Sequence, residues 1–226
     1  MPKNKLQRFA ELKTLSNVFQ PKKPEFIDWK KHFGNNNDII LELACGHGAY
    51  TLGLAKMYPN KNFIGVDVKG ARIWKGAKLA LENKLTNVAF LRAQIQQLED
   101  YFLKPSPSLN IIQPIITEIW ITFPDPYPKK RHAKNRLTSP RFLKIYKKIL
   151  KPDGILHLKT DDLDLFNYSV ETAIAEDWKI KKIINNIYNL KILPPELQIQ
   201  TFYEKKHLKN GKQIHYLQIA KGSNPL

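Results

Sequence analysis

The sequence predicts a single α/β domain built on a doubly wound, mostly parallel sheet of seven strands, with an antiparallel pair at its C-terminal edge. Three observations predict it. From Asp38 to Trp178, short apolar runs alternate with stretches of helical period, the pattern of parallel strands joined by right-handed crossover helices. The first apolar run ends in a glycine-containing turn, "ACGHG", that leads straight into a helical stretch. The last two runs, "KIINNIYNL" and "KQIHYLQIAKG", have no long helix between them, so they pair antiparallel.

Taken in order, residues 1–30 carry Lys3, Lys5, Arg8 and Lys13 on a weakly amphipathic background and end at "QPKKP". They read as a basic arm or short helix, and residues 31–226 as the one domain. "DIILEL" is the first strand, and "AYTLGLAKMYP" is a helix stopped by Pro59. "NFIGVDV" and "NVAFLRA" are strands flanking the helix "GARIWKGAKLALENK". A Pro/Ser-rich connector, "KPSPSLNIIQPI", precedes the strand "EIWITF". In "SPRFLKIYKKILKPDG", Ser139 caps a helix, Pro140 takes its first position and Gly154 follows its end. "ILHLKTDD" is a strand and "LDLFNYSVETAIAEDW" a helix.

The charge balance points to a partner. Thirty-seven Lys+Arg face 20 Asp+Glu across 226 residues, a formal charge of +17, which favours a polyanion. A hydrophobic content of 42% with 25% charged residues is that of a globular chain able to bury a core. No apolar run approaches a membrane span, and the N-terminus lacks the apolar centre of a signal peptide, so a cytoplasmic location without membrane association is expected. The one cysteine, Cys45, has no internal partner and reads as a small buried residue. No metal is expected.

Two stretches carry chemistry. In "LELACGHG", Glu42 lies at the end of the first strand, while Gly46 and Gly48 let the backbone approach a ligand. Asp67 ends the next strand, where a carboxylate can accept both hydroxyls of a ribose. Together they indicate a nucleoside site. The third glycine of a dinucleotide turn is missing, which disfavours a nicotinamide dehydrogenase. The E-x-x-C-G-x-G form instead resembles motif I of S-adenosylmethionine-dependent methyltransferases. Trp74, on the following helix, reads as packing.

The second stretch is "FPDPYPKKRHAKNR", Phe123 to Arg136, at the carboxyl end of "EIWITF" beside the ligand crevice. Pro124, Pro126 and Pro128 are expected to hold Asp125 and Tyr127 extended, presenting the carboxylate rigidly. Lys129, Lys130, Arg131, His132, Lys134 and Arg136 then offer cations to a phosphate backbone.

These fourteen residues resemble the signature F-P-D-P-W-P-K-K-R-H-x-K-R-R of the bacterial tRNA (guanine-N7)-methyltransferase family, with Tyr127 for the Trp and Asn135 for an Arg. "GILHLKTDDLDLF" resembles the family's G-x-x-x-x-K-T-D segment, and "TFYE" its T-K-F-E, with Phe202 and Tyr203 in place of Lys and Phe. The resemblance, over nearly all of Ile39 to Leu217, implies a Rossmann-like methyltransferase sheet, S-adenosylmethionine as cofactor, and tRNA as partner, with a variable-loop guanosine as target. It also implies roles: Glu42, Asp67 and Asp125 contact the cofactor, Asp125 is catalytic, and Lys129, Asp161 and Thr201 to Glu204 hold the guanosine. Where the family usually has an Asp or Asn near the adenine, this chain offers Gln94, whose amide can bond the adenine edge. Three readings compete: an exocyclic-amine methyltransferase, because "DPY" resembles that group's D/N-P-P-Y/F turn; a ribosomal or mRNA-cap substrate; and a non-catalytic, cofactor-holding RNA-binding partner. Monomer and homodimer both remain open.

Overall fold

The computed structural model describes residues 3–106 and 111–222. Helix α1 (Lys3–Leu12) leads to a two-residue strand, β1 (Val18–Phe19), and a short helix, α2 (Trp29–Phe33). Asp28 caps α2 by accepting the Lys31 amide at 3.0 Å. The alternating body follows: β2 (Ile39–Leu43), α3 (Ala49–Met57), β3 (Asn62–Asp67), α4 (Gly70–Glu82), β4 (Val88–Arg92) and α5 (Leu98–Phe102). The strands β5 (Leu103–Ser106) and β6 (Ile111–Pro114) form a separate antiparallel pair; the tip of the Pro/Ser-rich connector, residues 107–110, lies outside the described residues. Then come β7 (Ile116–Thr122), α6 (Pro140–Ile149), β8 (Leu150–Thr160), α7 (Leu163–Ala175), β9 (Trp178–Ile184), α8 (Phe202–Lys209) and β10 (His215–Lys221).

The main sheet has the order β1-β4-β3-β2-β7-β8-β10-β9, with only β10 running against its neighbours. It is thus one strand wider than the seven expected, because Val18 and Phe19 pair parallel with Phe90 and Leu91 at the edge. Strand β2 is buried at all five positions because both faces of the sheet are covered. Ile39, Leu41 and Leu43 join the core under α5, α6 and α7, together with Phe102, Phe142, Tyr146 and Phe166. Ile40 belongs to the opposite core, with Leu12, Tyr50, Leu54, Ile73 and Ala77. Glu42 breaks this apolar run.

Three local expectations are corrected. Gly154 does not follow a helix; α6 ends at Ile149, and residues 151–154 bulge from β8, with pairing passing from Leu150 opposite Ile116 to Ile155 opposite Glu118. Pro152 has no amide for the ladder, and Asp153 turns the chain with a φ of 58°. The strand read from "KIINNIYNL" ends at Ile184, and Ile187–Asn189 form a 3₁₀ turn. Helix α7 stops at Ala175, and Trp178 instead opens β9.

The strand order reverses at β2, which has β3 on one side and β7 on the other. A crevice opens at the carboxyl ends of such strands. The "ACGHG" turn after β2 and the "FPDPYP" loop after β7 therefore face each other.

Candidate active site

A cleft of about 510 Å³ occupies that position. Its walls include Glu42, Gly46 and Asp67 from the β2–β3 side, Asp125 from the loop after β7, Asp161 after β8, and Thr201, Phe202 and Tyr203 at the start of α8. Glu42 is 3% exposed. Its Oε2 accepts the Thr51 amide at 2.8 Å and the Thr51 hydroxyl at 2.6 Å, and Oε1 accepts the Thr122 hydroxyl at 3.3 Å. Burial nevertheless pushes its carboxyl up to about 7, against those donors. Asp67 is satisfied by backbone: Oδ2 accepts the Gly46 amide at 2.9 Å and Oδ1 the Lys69 amide at 2.8 Å.

The turn between them is built for close approach. Gly48 has a φ of 69° and begins α3 without a side chain to cap it; a Cβ there would lie 2.6 Å from the Phe90 ring. A Cβ at Gly76 of α4 would lie 2.4 Å from the His47 carbonyl oxygen. Both glycines let turn and helices pack within one side-chain layer.

The "FPDPYP" loop is folded differently from the extended run expected. Phe123 and Tyr127 take left-handed φ values of 50° and 45°. Tyr127 is therefore a correction: instead of continuing extended, the chain turns there. Its carbonyl accepts Nη2 of Arg136 at 3.2 Å, and the Pro126 carbonyl accepts Nε at 3.0 Å. Asp125 is exposed at the cleft, and its carboxylate makes no hydrogen bond or ion pair with any described residue.

On the far wall, Asp161 Oδ2 meets Lys212 Nζ at 2.5 Å and His207 Nδ1 at 3.1 Å. The His207 ring stacks on Phe123, with centroids 6.0 Å apart and planes 10° apart, so the wall is tied to the Asp125 loop. Thr201 caps α8 by accepting the Glu204 amide at 3.1 Å. Phe202 and Tyr203 stand 70% and 46% exposed at the mouth, a large apolar display for a cleft rim.

Residues 36–217 match the model of a family described as "Putative methyltransferase". A tRNA (guanine-N(7)-)-methyltransferase of Christiangramia forsetii is 45% identical over 96% of this chain and 97% of its own. That of Cytophaga hutchinsonii is 40% identical over 97% and 98%. The chain belongs to the tRNA (guanine-N(7)-)-methyltransferase family. Among solved structures, the 16S rRNA methyltransferase KamB aligns with a TM-score of 0.64 over 90% of this chain and 98% of its own, at 14% identity. That likeness concerns the fold, which is of the class I methyltransferase type.

Against the family signature, several predicted site residues stand away from the cleft wall. Gln94 is exposed on the loop after β4, and Lys129 precedes the 3₁₀ segment Lys130–Asn135; neither lines the cleft. Lys130, Arg131 and Lys134 are exposed and His132 is half-buried. Arg136 is 8% exposed and turned inward onto the loop. Glu204 is wholly buried behind the wall, where both oxygens meet Lys159 Nζ, at 2.7 and 2.8 Å, and Oε1 also accepts the Tyr188 hydroxyl at 2.8 Å.

Other residues at or behind the cleft wall escaped sequence reasoning. Thr51 and Thr122, which hold Glu42, carry no local signal, since the contacts span nine and 80 residues. Lys69, Arg72, Lys206, His207 and Lys212 line the cleft from segments that read as ordinary basic surface. Cys45 is buried, and burial pushes its thiol well up, as expected of an inert residue. Trp74 donates Nε1 to Glu11 at 2.8 Å and so ties α1 to α4.

Proposed function

We propose that this protein transfers the methyl group of S-adenosylmethionine to N7 of a guanosine in tRNA. Family membership supports the reaction class, and one observation supports this use of the cleft. Groups suited to a nucleoside cofactor and groups suited to a purine share a single cavity at the reversal of strand order. The cofactor side fits its ligand. Asp67 keeps lone pairs for ribose hydroxyls after accepting two amides, Glu42 Oε1 accepts from Thr122, and Gly48 starts α3 without a side chain to occupy its first amide. Glu42, Gly46, Asp67 and Asp125 hold the cofactor in this reading, and Gly48, buried against Phe90 and off the cleft wall, shapes the turn. When bound, it supplies an electrophilic methyl group on a sulfonium centre.

Guanine N7 carries an in-plane lone pair, so no base must remove a proton before attack. The protein's work is alignment and charge. Asp125, exposed at the cleft and unpaired, lies where a carboxylate can stabilise the positive charge that N7 alkylation places on the purine. Asp161 Oδ1 has no partner among the described residues and offers an acceptor for the N–H donors of the guanine edge. Phe202 and Tyr203, exposed on the same wall, give an unpaired base a surface to stack on. Exposed Lys130, Arg131 and Lys134 hold phosphates outside the cleft.

The test is to incubate the protein with unmodified tRNA and methyl-labelled S-adenosylmethionine, digest the RNA and identify the labelled nucleoside. 7-Methylguanosine is expected. Label on an exocyclic amine, or none, overturns the reading.

A further inference from the structure

We propose that Arg136 is a positioning residue for methyl transfer, which clamps the "FPDPYP" loop so that Asp125 faces the cleft; this rests on the function proposed above. By sequence, Arg136 is the last cation of a basic run and an obvious phosphate ligand. The structure turns it the other way. It is 8% exposed, and its guanidinium spans the consecutive carbonyls of Pro126 and Tyr127 at 3.0 and 3.2 Å. Its Cζ lies 4.4 Å from the ring centroid of Tyr168 on α7, which backs the charge with an aromatic face.

The loop needs such a clamp because of its own composition. Pro124, Pro126 and Pro128 have no amide hydrogen, so every second residue is without a backbone donor. Tyr127 is held at a φ of 45°, a conformation that a non-glycine residue adopts only when its surroundings impose it. Arg136 supplies donors to the two carbonyls that immediately follow Asp125, at the point where the chain turns. A planar fork can reach both oxygens at once, whereas a lysine ammonium at the same place is a point donor on a flexible stem.

The experiment compares wild type, Arg136→Lys, Arg136→Met, Tyr168→Leu and Lys130→Ala. It measures kcat per folded molecule and KM for tRNA at saturating S-adenosylmethionine, and the salt dependence of tRNA binding. Identifying the nucleoside made by wild type tests the proposed function separately, before any variant is compared. For Arg136→Met, kcat is expected to fall roughly 10- to 100-fold, as misplacement of a reacting group by about 1 Å does, with the KM for tRNA within about twofold. Arg136→Lys falls between that variant and wild type. Lys130→Ala lowers the slope of log affinity against log salt by about one, as loss of a phosphate contact does, while Arg136→Met leaves it unchanged. Should Arg136→Met not fold, Tyr168→Leu carries the test, with a several-fold loss of kcat at an unchanged salt slope. A slope reduced by about one with kcat intact would make Arg136 an RNA contact. A lowered thermal midpoint with unchanged kcat per folded molecule would make it purely structural. Either result overturns the proposal.

Discussion

Replacing Lys159 with methionine tests what holds the α8 wall in place. Lys159 and Glu204 have no exposed side-chain surface, and the ammonium also donates to the Tyr50 hydroxyl at 3.0 Å and to the Leu197 and Ile199 carbonyls at 2.9 and 3.2 Å. Burial pulls the Lys159 ammonium down from its ordinary value, and Glu204 opposes that shift. Methionine matches much of the volume but strands the Glu204 carboxylate, leaving it the Tyr188 hydroxyl as its remaining side-chain donor. Breaking a buried pair on one side costs roughly 3–5 kcal/mol. At about 2–4 °C per kcal/mol for a chain of this size, the thermal midpoint should fall by roughly 6–20 °C. Urea and thermal unfolding followed by circular dichroism measure both quantities. Lys159→Met combined with Glu204→Leu removes the stranded charge and should recover at least half of the loss. A single variant within about 1 kcal/mol of wild type, or a double variant as poor as the sum of the two singles, would refute the argument that this pair is a coupled anchor.

Further outcomes follow from the cleft. Glu42 has its folded-state pKa raised from 4.5 to about 7, so the folded protein binds a proton more tightly than the unfolded chain. Its contribution is most favourable below about pH 4.5, declines as the pH rises to about 7 and is flat above. Between pH 5 and 8, the stability difference between wild type and Glu42→Gln should shift by on the order of 2–3 kcal/mol toward the variant, and an unchanged difference in urea unfolding at the two pH values refutes it. Asp125→Asn keeps the size of the side chain and removes the charge; kcat should fall about 10- to 100-fold with the affinity for tRNA little changed, and full turnover would end the charge-stabilising role. Gly48→Ala meets the Phe90 ring at 2.6 Å and a φ of 69°, and should cost roughly 2–5 kcal/mol by chemical unfolding; a neutral substitution would show that the turn relaxes.

The parts of the fold that were legible from sequence are those with a strong local period. Strands β2, β3, β4 and β7 and helices α3, α4 and α6 announce themselves because each must bury a stripe or both faces. Strand β1 gave no period, since two residues at an edge cannot make one. At the site, the placement of Gly46 and Asp67 on the cleft wall was readable because it follows from residue type and position along the chain. The inward placement of Glu204 and Arg136 was not. A carboxylate or guanidinium near a site reads the same whether it faces the ligand or turns inward, and Lys159, 45 residues from Glu204, decides the matter for one of them. Pro128 restricts Tyr127, but the turn that residue makes depends on carbonyl partners ten and nine residues downstream in Arg136.

For the proposed function, the distribution of charge bears on how a strongly basic chain admits a base. Five acidic side chains line the cleft, Glu42, Asp67, Asp125, Asp161 and Asp162, beside Lys69, Arg72, Lys206 and Lys212, so its wall is less basic than a chain holding 20 Asp+Glu against 37 Lys+Arg. A phosphate entering the cleft would meet both signs of charge, while the exposed cations at Lys130, Arg131 and Lys134 lie in a run, residues 129–136, that carries no carboxylate. In the proposed function a purine acquiring positive charge at N7 is drawn toward Asp125, which has no partner among the described residues, while the Lys212 ammonium is engaged by Asp161 Oδ2. The same pairing leaves Asp161 Oδ1 as the acceptor proposed for the base edge. In the proposed function the basic run sets affinity, and Asp125 and Asp161 set which face of the nucleotide reaches the methyl group.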